Sequence, residues 1–130
     1  MRTKSHFFIF SVFNNKNLDK SLQDHAEVKD YLNILGLGFQ EVEGSYKGIR
    51  ERAFMVVGRI HEPLIRRLTK LYKQESYLSV YGDDFAELIY LSNNDTQGLG
   101  YLVEISKEEA HKTDSWTFVP NLGAYYTTKK

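Results

Sequence analysis

Apolar and polar positions switch between two periods along this chain, and the switches mark its elements. Residues 6–13, HFFIFSVF, form one aromatic and β-branched block, which predicts a short strand buried on both faces. Residues 14–17 break it. From 19 to 35 the apolar positions Leu22, Ala26, Val28, Tyr31, Leu32 and Leu35 recur at helical spacing with charges between them, and Asn17 or Asp19 can cap the first turn. Gly36 and Gly38 end that helix. Residues 39–45 and 52–58 read as two strands of a hairpin around a turn that carries Tyr46 and Glu51. Pro63 opens a second helix over 62–73, with Leu64, Ile65, Leu68, Leu71 and Tyr72 as its apolar face. Residues 76–81, 86–91 and 100–105 are further strand candidates, the last two joined by the polar loop SNNDTQGLG. Beyond 107 the pattern is less regular. Trp116, Phe118 and Val119 suggest a short strand or arm, and 125–130 is expected to fray.

The resulting order is β-α-β-β-α-β with a C-terminal hairpin appended. It predicts an α+β, ferredoxin-like or PII-like sandwich: one domain over 1–130, an antiparallel sheet, both helices on one face, and 107–130 as an arm. The other sheet face would be left apolar and uncovered. A homo-oligomer, a trimer among the possible states, would cover it.

Composition narrows the function classes. The 130 residues, 42% of them hydrophobic, suit one core. Seventeen basic residues balance seventeen acidic ones, so no global field draws the chain to nucleic acid or an anionic membrane. Near-neutrality eases self-association. Cysteine is absent, which removes disulfides and thiolate metal sites and suits a cytoplasmic protein. No apolar run approaches the ~20 residues that span a bilayer. The start, MRTKSHFFIF, is basic then apolar, but Ser11 interrupts the apolar stretch and no small-residue cleavage site follows, so it reads as a strand rather than a signal peptide.

Familiar catalytic apparatus is missing. The four histidines share no ligand spacing, which argues against a metal site, and no cofactor fingerprint is present. His25 reads as a partly buried structural histidine, and His61 as preparation for the second helix. Gly36-Leu37-Gly38 reads as a helix stop, Gly98-Leu99-Gly100 as a hairpin loop. Arg66, Arg67, Lys70 and Lys73 read as a solvated helix face. What stands out is GSYKGIRERAFMVVG, residues 44–58. Its glycines allow a sharp turn and close approach of a ligand to the main chain, and it places Tyr46 and Glu51 at a strand edge. The plain alternatives are a simple hairpin, and a surface Glu51 paired with Arg50 or Arg52.

These features together resemble a known family, the phage enzymes that degrade S-adenosylmethionine, once called hydrolases and understood as lyases. The resemblance rests on the N-terminal aromatic strand ending in Ser11 and Phe13, the amphipathic helix, Gly44-x-Tyr46, the nearby Glu51 and the apolar strand that follows. It spans about residues 6–105. Family members can carry a longer insertion between the tyrosine and the glutamate, so Glu51 is the firmer equivalence. The resemblance implies a trimer with sites between subunits and a substrate, S-adenosylmethionine, whose own carboxylate displaces the sulfonium to give 5′-methylthioadenosine and homoserine lactone. No metal or cofactor is implied. Glu51 would be catalytic by fixing the reactive conformer; Tyr46, Ser11, Phe13, Gly44 and Gly48 would contact substrate. The implied role is phage counter-defence, removing the methyl donor of restriction–modification systems.

Two other classes fit the sequence: a non-catalytic oligomeric nucleotide-binding module, and a small interaction protein that blocks a host defence enzyme. Turnover without added metal separates the first class from these two.

Overall fold

The computed structural model describes residues 5–130 apart from Asn15 and Lys47, so the basic start at residues 1–4 lies outside the described residues. Strand β1, Phe7–Phe10, alternates its side chains between two apolar clusters, Phe7 into one and Phe8 and Phe10 into the other, which is why its sequence carries no polar positions. Helix α1, Leu18–Ile34, starts at Asn17, whose Oδ1 accepts from the Lys20 amide at 3.0 Å, and ends before Gly36 at φ 69°.

The buried stripe of α1 is Ser21, His25, Val28 and Leu32. The expected apolar stripe is only partly inside, since Leu22, Tyr31 and Leu35 are exposed. Two polar residues displace it because each has a partner. The Ser21 hydroxyl donates to the Asn14 carbonyl at 2.9 Å and accepts from the Asn14 amide at 2.7 Å, and His25 meets Glu41.

Strands β2, Gln40–Tyr46, and β3, Ile49–Val57, form a hairpin with Gly44 opposite Glu51 and Tyr46 opposite Ile49. The expected turn from Tyr46 to Glu51 is shorter than that, since β2 runs to Tyr46 and β3 begins at Ile49, and Glu51 lies inside a strand. Helix α2, Glu62–Leu71, follows a 3-10 turn at Arg59–His61, with Pro63 in its first turn and Ile65, Leu68 and Thr69 buried. Strands β4, Ser76–Val80, β5, Phe85–Tyr90, and β6, Thr96–Ile105, then run as a meander. A short helix α3, Lys107–Ala110, precedes β7, Trp116–Val119, and β8, Ala124–Lys129.

All strands join one closed antiparallel barrel in the order β1-β3-β2-β7-β8-β6-β5-β4, returning to β1. The expected ferredoxin-like sandwich with an open sheet is therefore corrected. The segment expected as a short strand or arm is strand β7, the end expected to fray is strand β8, and β7 pairs with β2 through Ser45 and Trp116. Closure needs curvature. A register shift opposite Ala86 and Glu87 falls at Gly98–Gly100, where Gly100 has φ 97° and a Cβ would collide with the Lys129 carbonyl.

Phe7, Val42, Met55, Val80, Leu102, Val119 and Tyr126 form one apolar cluster drawn from strands all round the barrel, as in its interior. A second cluster brings Val28 and Leu32 of α1 and Ile65 and Leu68 of α2 against Phe8, Phe10, Phe54, Val56 and Tyr77 on the outside. A third, Ile105, Ala110 and Trp116, sits at α3. The face expected to need another subunit is covered by the chain's own strands. No helix among the described residues is long and apolar enough to cross a membrane.

Candidate active site

Beyond Phe10 the chain leaves the barrel ladder, and Ser11 holds it there. The buried Ser11 hydroxyl donates to the Arg52 carbonyl at 2.9 Å and accepts from the Phe13 amide at 3.0 Å. One side chain thus bends residues 11–13 and staples the bend to β3, close to Glu51. The Phe13 carbonyl accepts from the Gln74 side-chain amide at 2.9 Å, so the backbone of Phe13 is held at both ends.

Glu51 is partly buried on the face of β3 that it shares by strand alternation with Ala53 and Met55. Burial pushes its carboxyl above the usual glutamate range, and the Ser11 hydroxyl offsets part of that. Arg50 and Arg52 alternate onto the opposite face. The Arg50 guanidinium stacks over Trp116 at 5.2 Å from the ring centroid, and among the described residues neither arginine makes an ion pair with Glu51. The surface ion-pair reading of Glu51 is not what the geometry gives.

A cleft of ≈ 330 Å³ runs along this part of β3. Its walls are Phe13, Leu18 and Leu22 on the apolar side and Glu43, Gly44, Arg50, Glu51 and Arg52 on the strand side. Gly44 leaves room opposite Glu51: a Cβ there would meet the Trp116 carbonyl at 3.7 Å and the Glu51 carbonyl at 4.0 Å, ordinary contacts that demand no glycine. A second cavity of ≈ 360 Å³, between Gly38–Gln40, Met55, Val57 and His61, lies at the other end of the β2–β3 ladder. It is slightly larger but holds no carboxylate and none of the predicted site residues, so the cleft beside Glu51 is the better candidate.

Of the predicted residues, Ser11, Phe13, Gly44 and Glu51 come together. Tyr46 and Gly48 do not join them. Both sit at the hairpin tip outside the cleft walls, with Tyr46 45% exposed and the Gly48 amide donating to the Asp114 carbonyl at 3.1 Å. Sequence reasoning missed Leu18, Leu22, Glu43, Arg50 and Arg52 as cleft walls. A usable signal existed in β3: the face that carries Phe54 and Val56 under the helices changes to Arg52 and Arg50, which marks where helical cover ends.

The cleft can hold an amphiphilic ligand. One wall is apolar, and the other offers both carboxylates and guanidinium groups within a few residues, which suits a small molecule bearing opposite charges. Among the described residues, no group of three or more histidine, aspartate or glutamate side chains is placed to hold a metal ion. A search of curated proteins gave no match. The family model described as the S-adenosylmethionine lyase family, however, matches residues 9–129, from β1 through β8 and across every wall of the cleft, and the chain belongs to that family.

Proposed function

We propose that the cleft beside Glu51 is where S-adenosylmethionine is folded for an intramolecular displacement. Family membership makes the chain an enzyme that degrades this substrate by lyase chemistry; the products on this reading are 5′-methylthioadenosine and homoserine lactone. A carboxylate oxygen of the substrate forms a bond to its γ-carbon while the γ-carbon–sulfur bond breaks. The bonding pair leaves with sulfur, and the sulfonium becomes a neutral thioether. Carboxylate and sulfonium lose their charges together, so an apolar wall such as Phe13, Leu18 and Leu22 favours the transition state over the ground state. Holding the oxygen near the γ-carbon adds a proximity term of up to roughly 7–11 kcal/mol in ideal cases.

Glu51 belongs on the substrate's amine or ribose hydroxyls rather than on the sulfonium, where its charge would stabilise the ground state and oppose the reaction. The observation that carries this reading is that Glu51, a partly buried carboxyl, is among the residues lining a cleft whose opposite wall, Phe13, Leu18 and Leu22, is apolar. Ser11, Phe13 and Gly44 shape the pocket around it. Exposed Leu18, Tyr46 and Ile49 near the cleft support a homotrimer in which a neighbouring subunit completes each site and Tyr46 works across the boundary. The biological reading is counter-defence in the host cytoplasm by removal of a methyl donor.

Incubating the purified protein with S-adenosylmethionine, without added metal, and following methylthioadenosine and homoserine lactone by chromatography tests the site. Product from wild type and not from folded Glu51→Gln is expected; equal rates from both would remove Glu51 from the mechanism. Light scattering coupled to size exclusion tests the trimer, and a monomer with full activity would exclude sites between subunits.

A further inference from the structure

Behind the cleft wall lies a histidine that the lyase chemistry itself does not use. His25 of α1 is 3% exposed. Its ring stacks on Phe54 of β3 with centroids 4.2 Å apart and 14° between planes, and meets the Phe13 ring edge-on at 5.8 Å. Its Nε2 lies 2.8 Å from Glu41 Oε1 on β2, and Lys29 Nζ lies 3.1 Å from the other oxygen of Glu41. Its Nδ1 is buried without a hydrogen-bond partner. That pattern suits the neutral ring with the proton on Nε2, donating to Glu41, since a second proton on Nδ1 would find no acceptor.

We propose that His25 is the positioning residue of the cleft, a ring clamped between Phe54, Phe13 and Glu41 that fixes the apolar wall on which the substrate folds. Two routes lead from it to the cleft. The backbone of Phe13 is already held by Ser11 and Gln74, so the packing left to orient its ring comes from neighbours such as His25. Leu22 and Leu18, the rest of the apolar wall, sit one and two turns earlier on the same helix, which His25 ties to β2 through Glu41. The charged groups that bear on the ring are Glu41 from β2, Lys29 from α1 and Arg52 from β3. Burial is the largest influence and holds the ring neutral, Arg52 and Lys29 act the same way, and Glu41 opposes them. Acid must therefore force a proton onto a ring whose free nitrogen has nowhere to place it, and the clamp loosens as pH falls below the ordinary histidine value of 6.5.

The inference rests on the cleft being the substrate site, so the test carries a control for that. Turnover of S-adenosylmethionine by the full chain is measured from pH 5 to 8 for wild type, His25→Phe, Glu41→Gln and Leu22→Asp, with folding checked by melting. In His25→Phe, KM rises about fivefold with kcat nearly unchanged and the acid limb of kcat/KM disappears. Glu41→Gln keeps an acceptor for Nε2 but attracts a proton less, so it moves that limb to lower pH. Leu22→Asp raises KM if the cleft binds substrate. If Leu22→Asp raises KM while folded His25→Phe and Glu41→Gln match wild type, the role of His25 is overturned and the cleft stands. If none of the three changes KM or the pH profile, the cleft reading and the positioning role fall together.

Discussion

Gly44 and Glu51 stand directly opposite each other across the β2–β3 ladder, one residue with no side chain facing one whose carboxyl is partly buried. The vacancy at 44 is not needed by the backbone, because the glycine's φ is ordinary and a Cβ would make only ordinary contacts. Gly44→Ala is therefore expected to fold with a melting temperature close to wild type. Gly44→Val, which fills the space further, is expected to raise KM severalfold. Steady-state kinetics beside thermal melts checks this, and a valine variant with wild-type KM would show that the space is not used.

Glu51→Gln separates stability from function. Burial raises the pKa of the Glu51 carboxyl above the 4.5 of an unperturbed glutamate, so in the window between the unfolded and folded pKa values the folded chain binds a proton that the unfolded chain has released. Stability from this group is present below that value and is lost as pH rises through the folded pKa. At neutral pH the glutamine variant should melt higher than wild type, while its turnover falls by about a hundredfold or more through a misplaced substrate. A variant that melts lower would show that the carboxylate stabilises the fold.

Tyr77 bears on stability alone. It is 2% exposed, and its hydroxyl donates to Glu62 at 2.6 Å, tying β4 to the first turn of α2. Burial and the Glu62 carboxylate both push the phenol's pKa upward, so it stays a donor at physiological pH. Tyr77→Phe should destabilise the chain by about 1.5–3 kcal/mol in a urea melt, as for hydrogen bonds to charged groups. KM should not change, since neither residue lines the cleft.

Gly100→Ala attacks the barrel itself. At φ 97°, with the Lys129 carbonyl where a Cβ would sit, alanine should cost at least about 2–3 kcal/mol and disturb the β6–β8 ladder. Denaturant unfolding with amide exchange along β8 tests both effects.

What the sequence revealed follows the range of the interactions. The two-faced burial of β1, the capped α1 and the Pro63 start of α2 are local matters, and each is readable from a few adjacent residues. Barrel closure is not local. It depends on Ser45 meeting Trp116, and on β8, whose Thr127, Thr128 and Lys129 carry no apolar alternation although Tyr126 is buried. Thr96–Gly98 reads as loop because its residues are polar or glycine, yet it extends β6 through a bulge. Of the candidate cleft, Gly44 and Glu51 stand out in the sequence as a glycine and a carboxylate beside an apolar strand, whereas Ser11 and Phe13 enter only through the family resemblance. Arg50 and Arg52 do not stand out, since charges at a hairpin end ordinarily mean solvent. On α1, periodicity chose Leu22 over His25, and only the partner Glu41, on another strand, explains why the polar residue goes inside.

The pairing of β2 with β7 also sets a schedule. On the ribosome, the hairpin bearing Gly44 and Glu51 emerges well before Trp116–Val119, the strand that must lie beside it. At about 5–20 residues per second the edge of β2 waits several seconds for its partner. Nascent chains therefore carry an unpaired strand edge next to the future cleft, and the enzyme begins to consume its substrate only once translation has passed the strands that close the barrel.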